Sequence, residues 1–178
     1  MRMMHRISEA ELPLCLAFNR ISHRWLVNRL FAAVSRLGNG VFWYVLMGVL
    51  PLLYGMPGAR ASLHMALVGL LCLPLYKGLK QVTLRDRPYT RDTAILQNVP
   101  PLDRFSFPSG HTMHAVAFTL VLMAYLPAWG WAVAPFTLLV ALSRLVLGLH
   151  YPSDVLVGAG IGAAVALGSL ALAGTGMA

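Results

Sequence analysis

Three short stretches hold most of the polar chemistry in an otherwise hydrocarbon-like chain. They are Lys80 with Arg87-Pro88 seven residues on, Pro108-Ser109-Gly110-His111, and Ser143-Arg144 with His150 and Asp154 beyond it. Arginine grips phosphate oxygens through a bidentate fork and lysine adds a compact charge, so Lys80, Arg87 and Arg144 suit a bound phosphate. Ser109 reads as a helix N-cap, and Gly110 lets backbone approach a ligand closely, which makes the first turn after them an anion site. His111, in that turn, can reach a phosphate ester as an acid. The most specific piece is His150 with a carboxylate four residues on, Asp154, across Pro152. An aspartate bonded to one imidazole nitrogen fixes the tautomer and leaves the other free to attack. Each motif also has a plainer reading: snorkelling cations at a span end, a capped helix, and a satisfied His–Asp pair.

The elements that must position these residues are membrane helices. The chain has 178 residues, 58% of them hydrophobic and only 11% charged, and its mean hydropathy is +0.68. That is outside the soluble globular range and leaves room for one membrane domain. The net charge of +8 comes without a basic stripe interleaved with aromatics, which argues against nucleic acid and for anionic headgroups or a phosphorylated substrate. Cys15 and Cys72 sit in apolar surroundings and read as inert thiols. No cleavable leader is expected at the start, Met1-Arg2-Met3-Met4-His5-Arg6.

Residues 8–36 mix apolar positions at helical spacing with Arg20, Arg24, Arg29 and Arg36. This predicts an amphipathic helix lying in the interface, with a tilted first span as the alternative. Leu37-Gly38-Asn39-Gly40 is expected to break it. Five spans then follow: Val41 to Tyr54, Ala61 to Tyr76 running on toward Lys80, two from the uncharged stretch 112–143 split at Pro127, and Val155 to Ala173. Several are shorter than the ~20 residues that cross hydrocarbon. The glycines and alanines of the fifth span predict tight packing on a neighbouring helix. The seven-residue spacing would put Lys80 and Arg87 on one helix face, with Pro88 biasing Arg87 out of the helix. The fold class is thus an all-α polytopic bundle of five to six membrane helices. It forms a single domain, 1–178, with an amphipathic segment 1–36 before a catalytic bundle 37–178. Counting crossings puts all three motifs on the same membrane side.

Taken together and in order, the three motifs resemble the tripartite signature of the type 2 phosphatidic acid phosphatase family, the lipid phosphate phosphatases. The resemblance covers Lys80 to Asp154, and no signature position departs from it. It implies that His150 attacks phosphorus to form a phosphohistidine, that Asp154 orients it, and that His111 protonates the leaving oxygen. It also implies that Lys80, Arg87, Ser109, Gly110 and Arg144 bind the phosphate, and that no metal or other cofactor is used. An undecaprenyl-type diphosphate is the favoured substrate, with phosphatidylglycerol phosphate, phosphatidic acid or lipid A as alternatives. The implied location is a bacterial inner membrane with the site extracytoplasmic, although six Lys and Arg residues on the site side oppose this by the positive-inside rule. Oligomeric state stays open. Two rivals remain at this point: a metal-dependent hydrolase using His111, His114, His150 and Asp154, and a phosphate-binding carrier that does no chemistry. Three residues are expected to play lesser parts: His64 structural or at the opposite end, Asp86 positioning Arg87, and Phe105 guiding a lipid chain.

Overall fold

The computed structural model describes residues 2–175; the two ends of the expected domain, residue 1 and residues 176–178, lie outside them. Helix α1 (Arg2–Ile21) is followed by α2 (Trp25–Arg36), a π-helical turn Leu37–Val41, and α3 (Phe42–Tyr54). Then come α4 (Met56–Thr83), a single turn α5 (Pro88–Arg91), α6 (Gly110–Tyr125), α7 (Pro127–Val146) and α8 (Pro152–Leu172). Among the described residues, four stretches are long and apolar enough to cross a membrane: Trp25–Tyr54, the one containing α4, α7 and α8. The chain is an integral membrane helical bundle.

Helix α6 has only 16 residues, short of a full crossing, yet it is the centre of the bundle. It packs against α4, α7 and α8, with Met113, Ala115, Ala117, Val121 and Leu122 fully buried. A helix walled in by protein need not match the bilayer. The α6–α8 contact depends on missing side chains. A Cβ on Gly158 would lie 2.6 Å from the Ser109 carbonyl oxygen, and one on Gly162 would lie 2.2 Å from that of Met113. The expected small-residue packing is therefore present at positions 158 and 162, whereas Gly160 and Gly168 face open space.

The N-terminal third differs from its expectation. The chain breaks at residues 22–24, and the glycines at 38 and 40 bend a helix without ending it. Gly40 takes φ +128°, and Gly38 lies so close to α7 that a Cβ would come within 2.8 Å of Val140. The first span thus starts at Trp25, and the boundary placed at residue 36 falls inside it. The arginines of this segment are all exposed. Helix α1 presents Ile7, Leu14 and Ile21 outward, but buries Ser8, Cys15 and Asn19. Asn19 donates from Nδ2 to the carbonyls of Leu96 and Val146 (3.0 and 3.1 Å) and accepts from the Leu96 N–H (2.8 Å). These bonds fasten α1 across one end of the bundle.

Candidate active site

At that end, the C-termini of α4 and α7 meet the N-termini of α6 and α8. A cavity of about 180 Å3 opens among them, and Lys80, Arg87, Gly110, His111, His114, Arg144 and His150 contribute to its wall. Six of the eight residues singled out by spacing therefore face one space. This convergence at one end of the bundle is what alternating crossings of the spans require.

Helix α4 stops before it can carry Arg87. Leu84 caps it in the left-handed region, φ 48°, where a side chain costs roughly 1–2 kcal/mol. Lys80 and Arg87 therefore share no helix face; the chain turns back and brings Arg87 in from the side. Pro88 acts as anticipated, since Arg87 is extended (φ −80°, ψ 154°) at the N-cap of α5. His150 arrives through another turn. Gly148, at φ +72°, reverses the chain after α7 where a Cβ would strike Ile95 and the Leu96 carbonyl. The N–H groups of both Leu149 and His150 then bond the Arg144 carbonyl.

His150 is buried between opposite partners. Its Nε2 lies 3.2 Å from Nη1 of Arg87, and its Nδ1 lies 3.4 Å from Oδ2 of Asp154. A guanidinium can only donate, so Nε2 carries a lone pair and the proton sits on Nδ1, facing the carboxylate. The Nδ1 contact is longer than a formed hydrogen bond, a looseness common in ligand-free sites. Burial first, then the charges of Arg87 and Arg144, hold the His150 imidazole well below its ordinary value. The neutral form is the one that can attack. Asp154, fully buried, accepts the Tyr151 N–H at 2.9 Å on the oxygen nearer His150.

The cations are already partnered. Oδ1 of Asp103 accepts from Lys80 Nζ (2.7 Å) and from Arg87 Nη2 (2.8 Å). Asp103, which the spacing left as a loop charge, also lines the cavity and stands where a phosphate oxygen would bind both cations. Asp86 does not position Arg87; its nearest partner is Arg91 at 3.9 Å. Arg144 donates from Nη1 to Ser35 Oγ of α2 (2.5 Å), and its buried Nε has no partner among the described residues.

Two candidates do not reach the cavity directly. Ser109 is fully buried, its Oγ bonded to Thr112 Oγ1 at 3.0 Å, and its N–H ties α6 to the Asp154 carbonyl. Asp154 stands behind His150. His114 is held by carbonyl oxygens of Gly110 and Gly69 (2.8 and 3.3 Å). Among the described residues, no three His, Cys, Asp or Glu side chains stand together as a metal site would need. His64 lies at the far end, between Tyr125 and Ser169. Phe105 is not in the cavity wall, and Ile95 and Val99 of its loop are buried in protein. Leu102 of the same loop does line the cavity, and the rest of the apolar wall comes from Trp43 and Tyr44 of α3, Leu73 and Tyr76 of α4, and Phe118 of α6.

Known proteins are similar to this chain in sequence and in fold. A decaprenylphosphoryl-5-phosphoribose phosphatase of Mycolicibacterium smegmatis is 43% identical over 82 residues, 45% of this chain and 42% of that protein. The chain thus matches under half of that relative's length. An undecaprenyl-diphosphatase of Sulfolobus acidocaldarius is 25% identical over 93% of this chain and 79% of its own. The crystal structure of a transmembrane PAP2-type phosphatidylglycerolphosphate phosphatase from Bacillus subtilis superposes with a TM-score of 0.76 at 26% identity. That match covers 95% of this chain and 87% of the other. The PAP2 superfamily model matches residues 58–177, a stretch that begins in the first turn of α4 and contains every charged residue of the cavity wall; the chain belongs to the PAP2 superfamily.

Proposed function

We propose that this protein hydrolyses the phosphate ester or phosphoanhydride of a membrane lipid, with His150 as the nucleophile. The observation that carries this reading is the single cavity shared by His150, His111 and three fixed cations. Lys80, Arg87 and Arg144 hold the phosphate oxygens, aided by the N-terminal turn of α6 at Gly110. The lone pair on His150 Nε2 attacks phosphorus while the bond to the leaving oxygen breaks and His111 gives that oxygen a proton. Asp154 orients His150 and offsets the positive charge that develops on its ring. Water, losing a proton to His111, then attacks the phosphohistidine and releases phosphate. The catalytic use of His150, Asp154 and His111 favours an enzyme over a carrier, since binding alone needs no nucleophile. No step calls on a metal.

The substrate reading is an undecaprenyl-type diphosphate, yielding the monophosphate. The aromatic and aliphatic wall between α3 and α4 suits a long chain, and little protein encloses a large headgroup. The name of the Sulfolobus relative, similar along most of this chain, supports it. The similar Bacillus structure is that of a phosphatidylglycerolphosphate phosphatase, which makes phosphatidylglycerol phosphate the comparison substrate. We propose an extracytoplasmic site in a bacterial inner membrane, a reading supported by the family resemblance alone. In detergent with excess EDTA, purified protein is expected to release phosphate and to be inhibited by vanadate. Activity lost to chelation and restored by zinc or magnesium would overturn the mechanism. A higher kcat/KM for phosphatidylglycerol phosphate or phosphatidic acid than for undecaprenyl diphosphate would overturn the substrate alone.

A further inference from the structure

Arg85 belongs to none of the three motifs, yet its guanidinium is buried and every nitrogen is used. Nε donates to Ser8 Oγ of α1 (3.0 Å). Nη1 donates to Ser153 Oγ (2.7 Å) and to Asp154 Oδ1 (2.5 Å). Nη2 donates to Glu11 Oε2 of α1 (2.6 Å), and the guanidinium lies 3.9 Å over the Tyr151 ring. Glu11 in turn accepts from the Ser153 N–H (2.8 Å) and the Ser153 hydroxyl (2.7 Å). Arg85, Glu11 and Ser153 are absent from the cavity wall, so this cation does not meet the substrate.

We propose that Arg85, braced by Glu11 of the N-terminal helix, is a positioning residue that fixes Asp154 and thereby the tautomer and charge of His150. Arg85 takes Oδ1 and leaves Oδ2 to the Tyr151 N–H and to His150. A carboxylate with no exposure keeps its charge only if it is paired. With Arg85 present that pairing is complete before His150 takes part, so the imidazole stays neutral. Without Arg85, the charge on Asp154 is answered by His150, which then holds a proton on Nε2 where it should attack. The charged and titratable groups facing His150 are Asp154 from α8, Arg87 ahead of α5, Arg144 of α7, Lys80 of α4 and His111 of α6. Asp103, in the same cavity wall, is already engaged by Lys80 and Arg87; Asp154 is the carboxylate in contact with His150, so the way it is neutralised sets the sign of the effect. The N-terminal helix becomes part of the catalytic apparatus without touching substrate.

The inference rests on His150 being the nucleophile, and the experiment separates the two. Wild type, Arg85→Met, Arg85→Lys, Glu11→Gln and His150→Ala are purified in detergent, checked for monodispersity, and assayed on dioctanoyl phosphatidic acid from pH 4 to 9. For Arg85→Met, kcat is expected to fall about 100-fold or more with KM within about threefold, since orientation is lost and binding is not. The acid limb of its kcat/KM profile should move up by roughly one unit, because removing a nearby cation favours imidazolium. Arg85→Lys restores part of both effects, and Glu11→Gln shows the same shift in smaller measure. If Arg85→Met does not fold, the last two variants carry the test. A lowered kcat with an unmoved acid limb would reduce Arg85 to a structural tie, and a raised KM with normal kcat would make it a phosphate ligand; either overturns the proposal. Turnover retained by His150→Ala would sink the nucleophile assignment itself, whereas an inactive His150→Ala beside unshifted Arg85 variants would sink only this inference.

Discussion

Lys80 and Arg87 both bond Oδ1 of Asp103, and a substrate phosphate must replace that oxygen to reach them. Asp103 is about two-fifths exposed (38% at its side chain), so each of these ion pairs is worth well under its Coulombic value, about 0.5–1 kcal/mol after screening. Asp103→Asn keeps the shape and removes the charge. It is expected to lower the inhibition constant of inorganic phosphate roughly two- to fivefold, with kcat little changed. A raised constant would mean that Asp103 holds Arg87 in place and does not compete with phosphate. The eight candidate residues could be singled out because each sits in a local pattern with mechanical meaning, and six of them line the cavity. Asp103, Ser35, Glu11 and Arg85 could not be singled out. Glu11 and Arg85 are 74 positions apart and Ser35 and Arg144 are 109 apart, so no spacing rule links them. Asp86, adjacent in sequence to Arg87, is the local choice of partner, but after the chain reversal at Leu84 the carboxylate that Arg87 bonds is Asp103.

Among the helices, order and polarity could be read from apolar runs and prolines, while their ends could not. Helix α4 runs on past Tyr76 as expected, through Lys80 to Thr83, because snorkelling and buried cations extend a helix past its hydrocarbon. The glycines at 38 and 40 look like a stop, but Gly38 packs against Val140 and Gly40 takes a positive φ, which together make a bend. Helix α8 shows what the alternation of small residues conceals: four glycines lie along it, and only the pair one turn apart meets α6. Gly162→Ala is expected to destabilise the protein by about 1–3 kcal/mol or more, because the new methyl meets a backbone oxygen that cannot move aside. Gly160→Ala, with nothing within 4 Å, should stay within about 0.5 kcal/mol of wild type. The two melting temperatures in one detergent check this; equal values would deny that α6 and α8 are held at backbone contact.

Taken as a whole, the bundle concentrates charge at one end. Lys80, Arg85 and Arg87 are buried there against Asp103, Glu11 and Asp154, and Arg60 stands at the other end. These three are buried in the fold and at the cavity, but they still count among the six site-side cations that oppose an extracytoplasmic site by the positive-inside rule. The extracytoplasmic placement is therefore a proposal carried by the family resemblance, against the charge count. A single cysteine at Gln97 in a chain lacking Cys15 and Cys72 should react with an impermeant thiol reagent in intact cells; labelling only after lysis would put the site in the cytoplasm. The central claim is that three distant segments build one phosphate pocket around one nucleophile. Its most direct test is rapid quenching into alkali of the enzyme turning over a 32P-labelled lipid phosphate in EDTA. The account predicts one acid-labile, alkali-stable phosphopeptide, bearing its label on His150 and missing from His150→Ala, which also fails to turn over. Full turnover by His150→Ala, or a label on another residue, would contradict it.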